Sequence, residues 1–374
     1  MRINTFVTHF ADITDSRQLG KIEHKLFDII LLTISAVISG AEGWEDIEMF
    51  GEERLDWLKL YGDFENGIPA HDTIARVISR IDPKQLQSCF IKWMQECQQL
   101  SEGSVIAIDG KTVRRSFDKK QRKAAIHMVS AFSAANSVVL GQVKTDAKSN
   151  EITAIPELLQ LLEIKGCLVS IDAMGCQRDI AQKIVKKEGD YLLAVKGNQP
   201  KLHAAFEKHF PISKLYQYQG DSFETKEKAH GRTEHRMYFV ADIFEEFVDF
   251  SFEWPELKTV GAAVSIRQVG DTAPKAEDIF VRYYISSAEL SAKEFGEAVR
   301  SHWSIENTLH WVLDVTMRED DSRIRRGDAA ENLAGIKHIG LNLLRQETSL
   351  KLSIKKKRLK AALNEQYLSK VIEM

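Results

Sequence analysis

The chain has 374 residues, 44% of them apolar and 28% charged, and a formal net charge of −3. That is enough for two or more domains around ordinary hydrophobic cores, and it excludes a disordered or collagen-like chain. The slight acidity also excludes a molecule coated in cations, although a mean conceals clusters.

The first long apolar run, "LFDIILLTISAVISG", is interrupted by Asp28 and too short to span a bilayer, so it reads as a buried helix. No signal-peptide pattern precedes it, and a cytoplasmic protein is expected. Cys89, Cys97, Cys167 and Cys176 form no CxxC pair, which argues against a zinc ribbon or a disulfide framework. Helical periodicity continues through "WEDIEMFGEERLDWLKLY", "HDTIARVISRI" and "PKQLQSCFIKWMQECQQL", the last opened by Asp82 before Pro83. Residues 1–100 therefore read as an all-helical N-terminal domain. A helix-turn-helix at "NGIPAHDTIARVI" would let it bind DNA ends, but core packing is the default reading.

From residue 104 the period changes to that of strands. "SVIAID", "AIHMVSAFS" and "SVVLGQVK" read as three strands, the last two forming a hairpin near Asn136. "NEITAIPELLQLLEI" then reads as a helix, "CLVSID" as a strand, "CQRDIAQKIVKKEG" as a helix and "DYLLAVKGNQ" as a strand. That order demands a mixed sheet flanked by helices, an α/β domain over 101–374. Between about 211 and 287 strand-like pieces predominate ("MYFVADIF", "TVGAAVSIRQV", "DIFVRYYISS"), a β-rich insertion. Helical character returns at "SAKEFGEAVRSHW", "IENTLHWVLDV" and "ENLAGIKHIGLNLLRQ".

Asp109 and Asp172 each end an apolar strand, so neighbouring strands would set their carboxylates side by side at the sheet edge. Glu306, read at the start of an amphipathic helix, supplies a third. Carboxylates about 4 Å apart repel by about 4 kcal/mol per pair at an effective dielectric near 20. A divalent cation relieves this, and an all-oxygen donor set suits Mg²⁺, with Mn²⁺ as substitute. Cations flank the acids: "KTVRRSFDKKQRK", with Lys111, Arg114 and Arg115; "RIRRG", with Arg323, Arg325 and Arg326; and "KLSIKKKRLK". Such clusters beside a cation site suit a polyphosphate backbone, pointing to double-stranded DNA as partner. Lys196, Asn198 and Gln199 after a strand, and His230, Arg232 and Arg236 near a turn, are further phosphate candidates that equally suit a polar turn and a plain hairpin. His302, Glu306 and His310 recur every four residues and imitate a zinc site, but no HExxH motif is present. Asp314, Glu319, Asp320 and Asp321 remain alternative acidic ligands.

The segments "IAIDGKTVRRS", "SIDAMGCQ", "DYLLAVKGNQ", "HGRTEHR" and "HWSIENTLHWVLDVTMREDDSRIRRG" resemble the H-repeat-associated insertion-sequence transposases, in the DDE transposase group with a ribonuclease-H-like catalytic domain. The resemblance covers nearly the whole chain. It implies a catalytic triad of Asp109, Asp172 and Glu306, metal-dependent cleavage and strand transfer at the element's ends and target DNA, and a homodimer on DNA. His302 stands where related transposases carry an arginine and Leu313 where they carry a lysine. The phosphate-clamping roles of those residues therefore do not transfer, and His302 stays a DNA-contact candidate by position alone. Two other readings stay open: a metal-dependent nuclease of the same fold that does not join strands, and an inactive DNA-binding remnant of a mobile element. A small-molecule metal phosphohydrolase fits the acids but leaves the cations unexplained.

Overall fold

The computed structural model describes residues 8–98, 100–117, 124–145, 151–229, 231–243, 247–269 and 275–374. The N-terminal region is helical, as its periodicity predicts: α1 (Leu26–Ile38), α2 (Trp44–Glu53), α3 (Leu55–Leu58), α4 (His71–Ile78) and α5 (Pro83–Cys97). Helix α1 is buried along nearly its whole length, as expected of a helix apolar on every side. The Asp28 that interrupts its sequence accepts the backbone N–H groups of Asp63 (3.1 Å) and Phe64 (2.9 Å), which accounts for a carboxylate inside the core. Asp82 caps α5 by accepting the Lys84 N–H at 2.9 Å.

One nine-stranded sheet follows. Strands β1 (Val105–Thr112), β2 (His127–Ser133) and β3 (Val138–Lys144) form an antiparallel meander. After α6 (Glu151–Leu161) comes β4 (Leu168–Ile171), and after α7 (Arg178–Lys186) comes β5 (Asp190–Val195). Strands β1, β4 and β5 are parallel neighbours, giving the order β3-β2-β1-β4-β5 expected of a ribonuclease-H-like sheet. Helix α8 (Pro200–His209), which the sequence reading did not foresee, leads into β6 (Ser222–Ala229) and β7 (Arg232–Asp242). Then come α9 (Val248–Glu253), β8 (Thr259–Val269) and β9 (Ile279–Ser286). The β-rich insertion is not a separate sheet: β9 pairs antiparallel with β5, and β8, β7 and β6 continue outward.

Helix α10 (Ala292–Ile305) returns across one face of the sheet, with Phe295, Ala298 and Val299 packed against Leu168, Leu192 and Tyr284. The chain ends in α11 (Ala329–Gln346), α12 (Ile354–Leu363) and α13 (Glu365–Ile372). The N-terminal helices, the opposite face of the sheet and α11 share one continuous core. No helix among the described residues is long and apolar enough to cross a membrane.

Helix α11 also closes the sheet edge. Pairing between β2 and β3 is irregular between Ala131 and Phe132, and there Asn342, fully buried, acts as a substitute strand. Its Oδ1 accepts the Val139 N–H at 2.9 Å and its Nδ2 donates to the Val139 carbonyl at 2.8 Å. Replacing Asn342 with leucine strands both groups, at about 1–3 kcal/mol each. We expect a correspondingly lower denaturation midpoint in urea, with an unchanged slope.

Candidate active site

Strands β1 and β4 pair in parallel with Ile108 opposite Ile171. The next position on each is an aspartate, so Asp109 and Asp172 emerge side by side at the carboxyl ends, where open α/β sheets bind ligands. Strand alternation puts Val105, Ala107, Asp109 and Lys111 on one face of β1, and Leu168, Ser170 and Asp172 on the same face of β4. Helix α10 covers that face and carries His302 and then Glu306 towards the two aspartates.

Glu306 does not start a new helix, as the sequence suggested. It sits where α10 changes pitch and continues as two π turns, Glu306–His310 and Val312–Thr316, closed by N–H bonds from Trp311 to the Glu306 carbonyl and from Met317 to the Val312 carbonyl. Wide turns disturb the backbone ladder and are frequent at functional sites. Here half-buried Arg345 and buried Arg358 reach the segment's carbonyls, donating to Thr308 and Thr316 respectively.

The carboxylates feel one another. Burial, with the negative charges of Glu151, Asp172 and Glu306, pushes the Asp109 carboxyl up to about 7 against the pull of the Gly110 N–H. The Asp172 side chain accepts the N–H groups of Met174 (3.0 Å) and Gly175 (3.3 Å), fixing its own turn. Asn198 and Gln199 brace that turn by donating to the carbonyls of Ala173 (2.6 Å) and Cys176 (2.9 Å). They therefore support the Asp172 turn, the polar-turn role that the sequence equally allowed them. Glu306 itself is exposed.

Two neighbours of the acids, His127 and Glu151, escaped the sequence reading, and His310 entered it only as part of a zinc-like row. His127 bonds Glu151 at 2.7 Å and Thr112 at 2.8 Å, and Glu151 lies against β1 beside Asp109. His310 places Nδ1 3.5 Å from Asp109 Oδ2, and burial lowers its pKa to about 4, leaving a neutral imidazole. Nothing in the sequence links His127 to Glu151, since the pairing is made by the hairpin and α6 folding together. Among the described residues, no three His, Cys, Asp or Glu side chains stand close enough to cage a cation unaided. The row His302, Glu306, His310 accordingly forms no zinc centre. His302 is buried, bonded to the Ser170 backbone and lowered by burial to about 4, so it does not face DNA as its position suggested.

The donor set nonetheless fits a hard divalent cation. It is all oxygen, and burial, with the negative charges of its neighbours, raises its central carboxyl well above the usual carboxylate range. Mg²⁺ keeps several waters and binds through one or two carboxylates plus substrate phosphates, so no protein cage is required.

The expected cations divide into two groups. Lys111 is not on a nucleic-acid path: its side chain is 9% exposed, and Nζ lies 2.6 Å from Asp314, 2.5 Å from Glu319 and 3.5 Å from Asp320. This also removes Asp314, Glu319 and Asp320 as free alternative ligands, and Asp321 pairs with Arg115 at 3.2 Å. Arg236 is largely buried between Glu227 and Glu234. Arg114 is 81% exposed, its Nε 3.4 Å from Asp320. Arg325 donates to the Arg115 carbonyl at 3.2 Å and lies over the Phe117 ring. Lys196, Arg232, Arg323 and Arg326 are exposed, and His230 lies outside the described residues.

Gly110 is the point where β1 admits the His127–Glu151 pair. A Cβ there would overlap Glu151 Oε1 and His127 Nε2. Gly110→Ala should displace the pair and lower stability by about 1–3 kcal/mol, read as a fall in melting temperature.

The sequence matches the family model for the transposase DDE domain over residues 100–343, and a model associated with that domain over residues 7–94. It is 58% identical to the "Putative transposase YncI" of Escherichia coli O157:H7, covering 100% of this chain and 95% of that one. It is 55% identical to the "H repeat-associated putative transposase YhhI" of Escherichia coli strain K12, covering 100% of this chain and 98% of that one. A piggyBac transposase synaptic complex with hairpin DNA aligns with a TM-score of 0.43 at 11% identity, covering 99% of this chain and 78% of that one. With a family match across most of its length and relatives this close end to end, the chain belongs to the DDE transposase family.

Proposed function

We propose that this transposase cuts and rejoins DNA strands by metal-dependent phosphoryl transfer, with Asp109, Asp172 and Glu306 as its acids. The carrying observation is the parallel register that sets Asp109 beside Asp172 while Glu306 faces them closely enough for its charge to act on Asp109. Mg²⁺, or Mn²⁺ in its place, would be held by these carboxylates, activating the attacking water or 3′ hydroxyl and offsetting charge on the leaving oxygen.

The chain's own groups complete the site. The braced turn at Asp172 presents its carboxylate in one orientation, which lowers the entropy lost on reaction. Neutral His310 packs beside Asp109 and adds no competing positive charge. Arg114, Arg115, Arg323, Arg325 and Arg326 cluster beyond the end of β1 and would take DNA phosphates. Arg232 starts β7, and the alternating directions of β9, β8 and β7 bring that start to the same end of the sheet as the triad. Lys196, just past β5, lies at that end too. Joining two element ends calls for two copies of the site, hence a dimer on DNA.

The deciding experiment uses labelled DNA bearing the element's ends, with Mg²⁺, Mn²⁺ or EDTA. The parent should give nicked and joined products that need metal. Asp109→Asn, Asp172→Asn and Glu306→Gln should each lose about 10³-fold in rate, equivalent to about 4 kcal/mol, while still shifting DNA in a gel. Undiminished cleavage by Asp172→Asn would remove it from the site. Cleavage without joining, even on pre-cut ends, would mean a nuclease, and binding without metal-dependent product would mean a non-catalytic DNA-binding protein. Separately, Arg114→Ala and Arg115→Ala should each flatten the dependence of log Kd on log salt by about one unit if each side chain holds one phosphate.

A further inference from the structure

We infer that Lys111 is a positioning residue for Glu306: its buried ammonium ties the strand carrying Asp109 to the wide-turn segment carrying Glu306 and fixes how that segment is wound. The inference rests on the reading of Glu306 given above, but its geometry stands apart from that reading. Lys111 follows Asp109 by two residues on the same face of β1. Its contacts lie at the far end of the π-wound stretch, at Asp314, and in the turn beyond, at Glu319 and Asp320. Glu319 is almost fully enclosed, its side chain 4% exposed. The Lys111–Glu319 contact is therefore shielded from water, where one lost partner is felt strongly, while Asp314 stays 31% exposed. The stitching continues along the strand's extension: the Arg114 N–H donates to Asp320 at 3.2 Å and Arg115 pairs with Asp321.

The winding follows from this. An α-helix turns once every 3.6 residues, and a π turn takes more residues for the same rotation. Relaxing residues 306–316 to α geometry would therefore swing Asp314 around the axis relative to Glu306. With Asp314 pinned to the enclosed Lys111 ammonium, the segment cannot relax without breaking that ion pair, so the direction of Glu306 is tied to the strand that holds Asp109. A buried ion pair is weak evidence for stability but well suited to fixing register. Arg345 and Arg358 prop the same segment from α11 and α12. Loss of the lysine should thus disturb the winding locally and leave the fold intact.

The test uses the full chain labelled with 5-fluorotryptophan. Of its six tryptophans, Trp311 sits between the two π turns and is exposed, whereas Trp57, Trp93 and Trp254 are buried elsewhere. Trp311→Phe assigns its fluorine resonance. Lys111→Met should move that resonance and leave the three buried ones in place. It should also lower kcat for end cleavage tenfold or more, with KM for DNA unchanged within twofold. Asp314→Asn removes the strap from the helix side, leaves Glu319 to partner the lysine, and should move the same resonance; it decides the matter if Lys111→Met does not fold. A Trp311 resonance unmoved in the folded variants overturns the inference. So does a raised KM with unchanged kcat, which would make Lys111 a DNA contact. If the parent cuts no DNA, the catalytic reading fails, and the fluorine spectra still decide the strap.

Discussion

The parallel pairing of β1 with β4 forces two carboxylates into one small volume, and the rest of the site answers that constraint. Two aspartates at adjoining strand ends repel, and the repulsion grows as burial removes water. Among the described residues, no lysine or arginine pairs with either aspartate. The nearest lysine on the same face, Lys111, is committed to other acids, and the imidazole against Asp109 is uncharged. The acids are left with a standing demand for positive charge, and substrate phosphates would raise that demand further. An oxygen-seeking divalent ion meets both.

The positive charges are divided according to what they touch. Enclosed Lys111 and Arg358 and half-buried Arg345 serve the wide-turn helix, and Arg114, Arg115, Arg323 and Arg326 stay exposed. Arg358 also donates to the carbonyl of Val37 in α1, at 3.0 Å. One guanidinium thus bridges the N-terminal helices and the segment next to Glu306, so the helical unit buttresses the part of the chain that carries this acid.

Much of this was legible in the sequence. Apolar strands ending in Asp109 and Asp172 are local signals, and their order with intervening helices admits few topologies. Strand β6 was missed because "SFETKEKA" alternates charge with charge at the outer edge of the sheet, where burial imposes no apolar pattern. Lys111 was misplaced because a lysine after a glycine looks the same whether it faces DNA or carboxylates some two hundred residues further on. Glu306 was singled out as a third acid, but its place within a continuous helix was not foreseen, since hydrophobic period cannot show a change of winding that arises from tertiary props. The role of Asn198 and Gln199 was hidden for a similar reason: their partners are backbone carbonyls, which every residue possesses.

Helix α10 has a mechanical consequence. Its first turn is anchored on the outer strands: the Ala292 N–H donates to Asp221 at 2.7 Å, Phe295 packs on Gly261 and Gly296 on Tyr238. Its last residue adjoins Glu306. Fourteen helical residues make a rod about 21 Å long, so a tilt imposed on β6 and β7 is delivered to the third acid with little loss. The strands farthest from the aspartates thereby hold a lever on Glu306, and a contact gripping that outer edge would move this side chain without approaching it.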